Sequence, residues 1–539
     1  MIRTKNSILK QAAILGIASI IVRAIGLLYR IPLSNIIGDL GNSYYGVAFN
    51  IYTILLLMSG YSIPTAVSKI ISSYNALGEY RNAHKSFITS LVFIGIFGGI
   101  LSISLYIFSP YFLPSGSEEA LFALRSLSPT LFISGFIGVF QGYFQARRNT
   151  LPTALAQILE QVANAVASIF FAFILTRSVV GDNIKTASLG ALGGTLGTLT
   201  GVIVSITILY LVYRLNSGKL YNLLRKDKSG VTSSYKSITL VLIALIVPII
   251  FSTIITNIVG IIDQYLYYGI SNSLNRDMVD ISVKYGIYIG KYVPLANVPS
   301  ALAYSVSVAV LPTISAALAR KNKKEIHYRI NEGITLTMLF CIPSAIGLFV
   351  LAKPIMDLLF SGTSSVGYIS LKMGAIIIII TGYTTVLSGV LQGLGKPIIT
   401  LYSGIISIIS NIIILIPLLY FTRLDVYAII IAIIPSTFLM GIYLYYNIKK
   451  YTGFKQNIIR TVMLPSLAGI LMGIITWLVY LVTHFIFRFN FIALIITIPI
   501  GIISYSVIIL KMNFFNVLEL KSIPIGRLMF KLLKKLKLI

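Results

Sequence analysis

Charge is scarce in this chain of 539 residues: only 11% of positions are charged, and 15 acids stand against 43 Lys and Arg. Soluble domains carry about 25% charged residues, so no large water-facing surface is encoded. Cysteine occurs once, at Cys341, which excludes an intramolecular disulfide framework and a thiolate metal cluster. The histidines His84, His327 and His484 are scattered, and no paired-acid motif marks a loop. Nothing therefore resembles an enzyme's acid–base or metal site, and no structural metal or cofactor is expected. No long polar stretch remains for a soluble catalytic domain. The first apolar run continues past Ile31 without the small-residue site of a cleavable signal peptide. The formal charge of +28 does not point to nucleic acid, because the cations are confined to short breaks and tails.

What the chain has instead is apolar runs: 57% of its residues are hydrophobic and its mean hydropathy is +0.91. A crossing helix needs roughly 20 such residues. Runs at 10–37, 45–70, 87–109, 120–145, 152–176 and 187–213 precede a basic linker, 214–237. Those at 238–268, 284–318, 331–352, 367–394, 397–421 and 424–447 follow, and 461–486 and 490–511 close the series. The runs 10–37, 238–268 and 284–318 exceed one simple crossing, so tilts, kinks or turns are expected there. With the N-terminus in the cytoplasm, 31 Lys and Arg fall on the cytoplasmic side, 9 on the other and three inside spans. That asymmetry predicts both termini in the cytoplasm.

Two motifs recur about 250 residues apart. Ile63-Pro-Thr-Ala-Val-Ser68 is echoed by Leu311-Pro-Thr-Ile-Ser-Ala316, and Gly138-Val-Phe-Gln-Gly142 by Gly389-Val-Leu-Gln-Gly393. Each second motif precedes a basic break and a helix start at Pro152 or Pro397. An even number of spans per repeat makes the halves parallel repeats about the membrane normal. The predicted fold is an all-α polytopic membrane protein of about fourteen transmembrane helices. Its parts are a lobe at 1–213, the linker 214–237, a second lobe at 238–448, two helices within 449–511 and a tail at 512–539. The tail sets Lys521, Arg527, Lys531, Lys534, Lys535 and Lys537 among Leu and Ile, which suits anionic membrane lipid.

Arg23-Ala-Ile-Gly-Leu-Leu-Tyr-Arg30-Ile-Pro, then Ile37-Gly-Asp39 and Tyr44-Tyr-Gly46, resembles the first hairpin of bacterial polysaccharide-biosynthesis transporters. The likeness is to the stage V sporulation protein B branch of the MurJ-type lipid II flippases, in the MOP superfamily. Ile63-Pro-Thr-Ala-Val-Ser-Lys69 and Phe140-Gln-Gly-Tyr-Phe-Gln145, with Pro152 and Gln157 to Gln161 after it, extend it over nearly the whole chain. The resemblance implies two lobes flanking a V-shaped cavity, and a last helix pair lining a groove for a lipid tail. It implies a lipid-linked oligosaccharide cargo, a monomer, and cell-wall synthesis proteins as candidate associates. A cation-coupled drug exporter of the same superfamily, or a membrane-embedded glycosyltransferase, would be the alternatives.

Ionisable groups within spans mark candidate sites, since each costs about 2.5–3.5 kcal/mol at a helix centre. Arg23 and Arg30 share a face of the first span. Either both bind a pyrophosphate in the cavity through bidentate guanidinium donors, or Arg30 snorkels and Arg23 has a structural partner. Lys291, before Pro294 and Pro299 in the eighth span, either meets the same anion or snorkels. Glu160, with Gln157 and Asn164 on one helical stripe, either lines the cavity or pairs with Arg23. Asp39 is read as a turn or gate residue. Asp263, with Asn257 and Asn411, is the candidate for coupling to Na+ or a proton, because relatives place a sodium site on helices seven, eleven and twelve. A hydrated anchoring role is the alternative for Asp263. The membrane potential is the remaining driving force.

Overall fold

A computed structural model describes residues 2–512 and 514, apart from 62, 180, 226, 228–231 and 363. The expected basic tail thus lies outside the described residues, as does part of the linker. Among the described residues every regular element is helical. In chain order these are α1 (Ile2–Leu56), α2 (Ile63–Ala76), α3 (Tyr80–Phe108), α4 (Leu121–Ala146), α5 (Leu151–Arg177) and α6 (Asn183–Leu215). The short α7 (Ser217–Arg225) leads to α8 (Tyr235–Asn257), α9 (Val259–Ser273), α10 (Met278–Ile287) and α11 (Val293–Ala319). Then come α12 (Lys323–Val350), α13 (Ala352–Leu359), α14 (Ser365–Gly393), α15 (Pro397–Phe421), α16 (Val426–Thr452), α17 (Leu464–Phe487) and α18 (Asn490–Lys511).

Among the described residues thirteen helical segments are long and apolar enough to cross a membrane. The first, Ile14–Ala76, holds 63 residues and carries the first two expected spans. At 1.5 Å per residue it is far longer than a hydrocarbon core of about 30 Å, and it divides at Gly38, whose φ of 70° and ψ of 179° break the helix. The overlong run 10–37 itself stays helical up to that break, whereas the other two overlong runs are interrupted internally. Residues 238–268 break at Ile258, between α8 and α9. Residues 284–318 contain a π turn, Tyr288–Tyr292, in which the Val293 N–H reaches the Tyr288 carbonyl. Among the described residues the three π turns, Leu57–Tyr61, Tyr288–Tyr292 and Ile459–Met463, stand two or three residues before a proline: Pro64, Pro294 and Pro465. Proline has no N–H for the preceding turn, and a π turn re-routes the carbonyls left over.

The internal repeat has a physical cause. Lipid tails are as apolar as leucine, so helices associate in a membrane by close packing, which favours small residues. A Cβ on Gly142 of α4 would lie 2.8 Å from the Pro64 carbonyl oxygen of α2. One on Gly393 of α14 would lie 2.8 Å from the Leu311 carbonyl oxygen of α11. The two echoing motifs are therefore the two sides of one helix crossing, made once in each repeat.

Two compact units result. One comprises Met1–Pro294 with Ile412–Ile429, the other Leu295–Asn411 with the chain from Ile430 onward. This grouping does not follow the lobes drawn at 213 and 238: α8, α9 and α10 pack with the first unit, whereas α11 begins the second. An ion-pair cluster helps hold Ile412–Ile429 to that first unit. The Arg276 guanidinium donates to Asp425 at 3.1 Å and to the Leu419 and Thr422 carbonyls at the end of α15, and Lys284 meets Asp425 at 2.7 Å. Asp425→Ala is expected to lower the thermal midpoint of the detergent-purified protein, by the equivalent of about 1–3 kcal/mol for lost hydrogen bonds between charged groups.

Candidate functional site

The aliphatic stem and ammonium of Lys291 sit in the π turn before Pro294, 2% exposed. Its Nζ is 2.7 Å from Oδ1 of Asp39, the residue after the Gly38 break. Two of the expected site residues, 252 positions apart in the sequence, thus form one ion pair. The contact depends on backbone proximity. A Cβ on Gly286 would fall 1.7 Å from the Asp39 carbonyl oxygen, and one on Gly290 would fall 2.5 Å from Asn42 Cγ. The Gly-x-x-x-Gly face of 286–290 therefore lets the 39–46 segment lie directly on the helix that carries Lys291. This small-residue spacing was present in the sequence as a signal of close approach, although it names no partner.

A polar and aromatic layer surrounds the pair. Ser43 Oγ is 2.5 Å from the Tyr268 hydroxyl. Asn50 Nδ2 donates to Gln264 Oε1 at 2.8 Å and to the Tyr285 hydroxyl oxygen at 3.1 Å, and the Tyr285 O–H donates to Gln264 Oε1 at 3.2 Å. Tyr267, Tyr268 and Tyr285 are fully buried and pack ring against ring. The Tyr265 hydroxyl also donates to the Phe112 carbonyl on the connection after α3. These contacts join the N-terminal repeat to α9 and α10. Ser43, Asn50, Gln264 and the tyrosines were not among the residues expected from sequence. Polar residues near helix ends are too common to single out without their partners.

Arg30 is engaged differently. Its guanidinium lies 4.7 Å from the centre of the Tyr45 ring and 5.6 Å from that of Phe49, which are themselves stacked. Cation–π contacts of this kind are worth about 0.5–2 kcal/mol. Tyr45→Leu is accordingly expected to lower the thermal midpoint, whereas Tyr45→Phe retains most of the contact. Arg23 is exposed on the same arm of α1.

The stripe on α5 faces α6 in part. Ser168 Oγ donates to Asn164 Oδ1 at 2.9 Å, and a Cβ on Gly201 would lie 2.7 Å from the Glu160 carbonyl oxygen. Gln157 and Glu160 are partly exposed. Of the cation-coupling candidates, Asp263 is 4% exposed on α9. Asn257 is exposed and donates to the Thr253 carbonyl of its own helix at 2.8 Å. Asn411 is 1% exposed on α15, in the other compact unit. Among the described residues, no three His, Cys, Asp or Glu side chains gather as metal ligands.

Comparison with known proteins gives these features a family. The family model described as polysaccharide biosynthesis protein matches residues 8–318, and the MatE model matches 292–416. The lipid II flippase MurJ of Bacillus subtilis (strain 168) is 23% identical over 499 residues, 88% of this chain and 89% of that one. Stage V sporulation protein B of the same organism is 24% identical over 392 residues, covering 72% and 73%. Among solved structures, a lipid II flippase MurJ in an inward closed conformation superposes with a TM-score of 0.66 at 17% identity, covering 92% of this chain and 97% of that one. An inward-facing multidrug resistance MATE family transporter of the MOP superfamily gives 0.59 at 16% identity, covering 79% and 94%. The chain belongs to the polysaccharide biosynthesis protein family, as a multi-pass membrane transporter rather than an enzyme.

Proposed function

We propose that this protein is a flippase for an undecaprenyl-pyrophosphate-linked cell-wall precursor, with lipid II as its leading cargo. It would act in the bacterial cytoplasmic membrane, with both termini in the cytoplasm, by alternating access. The observation that carries this reading is Lys291, a buried intramembrane cation held by an acid that lies just beyond a helix break. A cation kept in the membrane at such cost suits an anionic cargo. A diphosphate reaching Lys291 would compete with Asp39, so cargo binding would loosen the contact between the 39–46 segment and α10. Arg23, exposed on α1, and Arg30 would supply further phosphate donors.

The likeness to the Bacillus subtilis lipid II flippase over most of both chains supports lipid II over a teichoic or capsular unit. The MatE match favours a second reading, a cation-coupled drug exporter. Arg23, Arg30 and Lys291 argue against cationic drugs, which they would repel. An inside-negative potential favours outward movement of an anionic head group by about 2.3 kcal/mol per charge per 100 mV. A Na+ or proton gradient through Asp263 would be the other source of drive. The protein would act as a monomer, alongside cell-wall synthesis proteins.

The test is complementation of a strain depleted of its lipid II flippase, with wild type, Arg23→Ala and Arg30→Ala at matched protein levels. Wild type is expected to restore growth and both variants to restore it poorly. Full growth of both variants would remove the arginines from phosphate binding. Failure of the wild type itself would move the cargo to another lipid-linked glycan.

A further inference from the structure

The second compact unit carries an open groove of about 480 Å³ between α12, α14 and α17. Its walls are apolar: Ile346, Phe349 and Val350 on one side, Ile470, Ile474 and Trp477 on the other. α18 takes no part in the lining. At the rim stands Lys372, exposed and seven residues into α14, roughly 10 Å along the helix from its start. Among the described residues Lys372 has no ion pair. The contact recorded for its ammonium is the Tyr368 ring at 5.9 Å.

An uncompensated ammonium at the head of an apolar groove, on a face surrounded by lipid, is matched by an amphiphile with an anionic head and a hydrocarbon chain. Lysine at this depth extends its stem upward and keeps its charge at head-group level. The groove volume is that of a single acyl chain, and it is far too small for a long polyprenyl chain. We infer that this groove binds an acidic phospholipid, one acyl chain lying between α12 and α17 and its phosphate on Lys372, in the leaflet opposite the basic loops. The site is independent of the Asp39–Lys291 pair and of the proposed cargo.

Trp477 is the only tryptophan in the sequence, so its fluorescence reports from inside the groove. The full-length protein would be placed in vesicles containing brominated-chain phosphatidylglycerol or, at equal mole fraction, brominated-chain phosphatidylcholine. Quenching is expected to show a roughly fivefold preference for phosphatidylglycerol, the factor that corresponds to about 1 kcal/mol for one lysine beside anionic lipid. Lys372→Gln should abolish the preference and Lys372→Arg should keep it. Equal quenching by both lipids in the wild type, or a preference that survives Lys372→Gln, would overturn the inference. So would displacement of the brominated lipid by undecaprenyl phosphate but not by unbrominated phosphatidylglycerol, which would assign the groove to a prenyl chain.

Discussion

Adding a single methyl group at Gly286 is expected to drive the 39–46 segment off α10. A Cβ there would sit 1.7 Å from the Asp39 carbonyl oxygen and 2.8 Å from its carbonyl carbon. Both are backbone atoms, so no side-chain rotation relieves the clash. Overpacking costs typically about 1–3 kcal/mol and occasionally more, and a contact this short belongs at the upper end. A transporter can escape the strain by changing its conformational population rather than by unfolding. A penalty near 3 kcal/mol shifts such an equilibrium by roughly 100-fold. The readout is solvent access to Ser43, which is 0% exposed beside Tyr268. The only cysteine, Cys341, is fully buried, so a Cys341→Ala background carrying Ser43→Cys reports one site. Labelling by a membrane-impermeant maleimide should rise at least about tenfold in Gly286→Ala. Unchanged labelling would mean that the segment is not held by this contact.

The second large effect concerns the ion pair. Removing one partner of a buried pair costs about 3–5 kcal/mol, because the remaining charge stays desolvated. The two single variants should differ. Asp39→Ala takes the carboxylate from an ammonium that is 2% exposed, whereas Lys291→Ala takes the ammonium from a carboxylate that is 20% exposed and able to hydrate. Asp39→Ala should therefore open the Ser43 reporter site further than Lys291→Ala does. Combining both changes should restore much of the closure, giving a coupling energy in a double-mutant cycle. Growth separates structure from transport. If Lys291 also meets the anionic cargo, the double variant will regain its closed state yet fail to support growth. Growth at the wild-type level would reduce Lys291 to a strut and remove the cargo role proposed for it.

Much of this molecule is legible before any coordinates are known. Apolar runs of about 20 residues read as crossings because lipid forces every backbone group into a helix. Two of the three overlong runs break, at Ile258 and at Tyr288–Tyr292, and Pro294 marks the second break in the sequence itself, while 10–37 stays helical. The motifs ending in Gly142 and Gly393 are readable as a repeat because each glycine must admit a neighbouring backbone. The pairing of Asp39 with Lys291 is not readable in that way. Each residue alone fits several roles, and nothing local records that 252 positions collapse to 2.7 Å. Arg30 is similar: its helical face is set by spacing, but the rings of Tyr45 and Phe49 that receive it lie beyond the Gly38 break.

The sequence by itself determined that this protein lives in a membrane, that it is helical, that it is internally repeated, and that three cations sit where cations are costly. Those properties follow from short-range rules: helix length, hydropathy and the price of a buried charge. Only the tertiary structure decided that Lys291 pairs with Asp39. It also decided that α10 packs against α1, where Gly286 admits the Asp39 backbone and Gly290 the Asn42 side chain. Long-range packing of this kind depends on the fit of two surfaces at once, and a single chain read in order shows only one of them at a time.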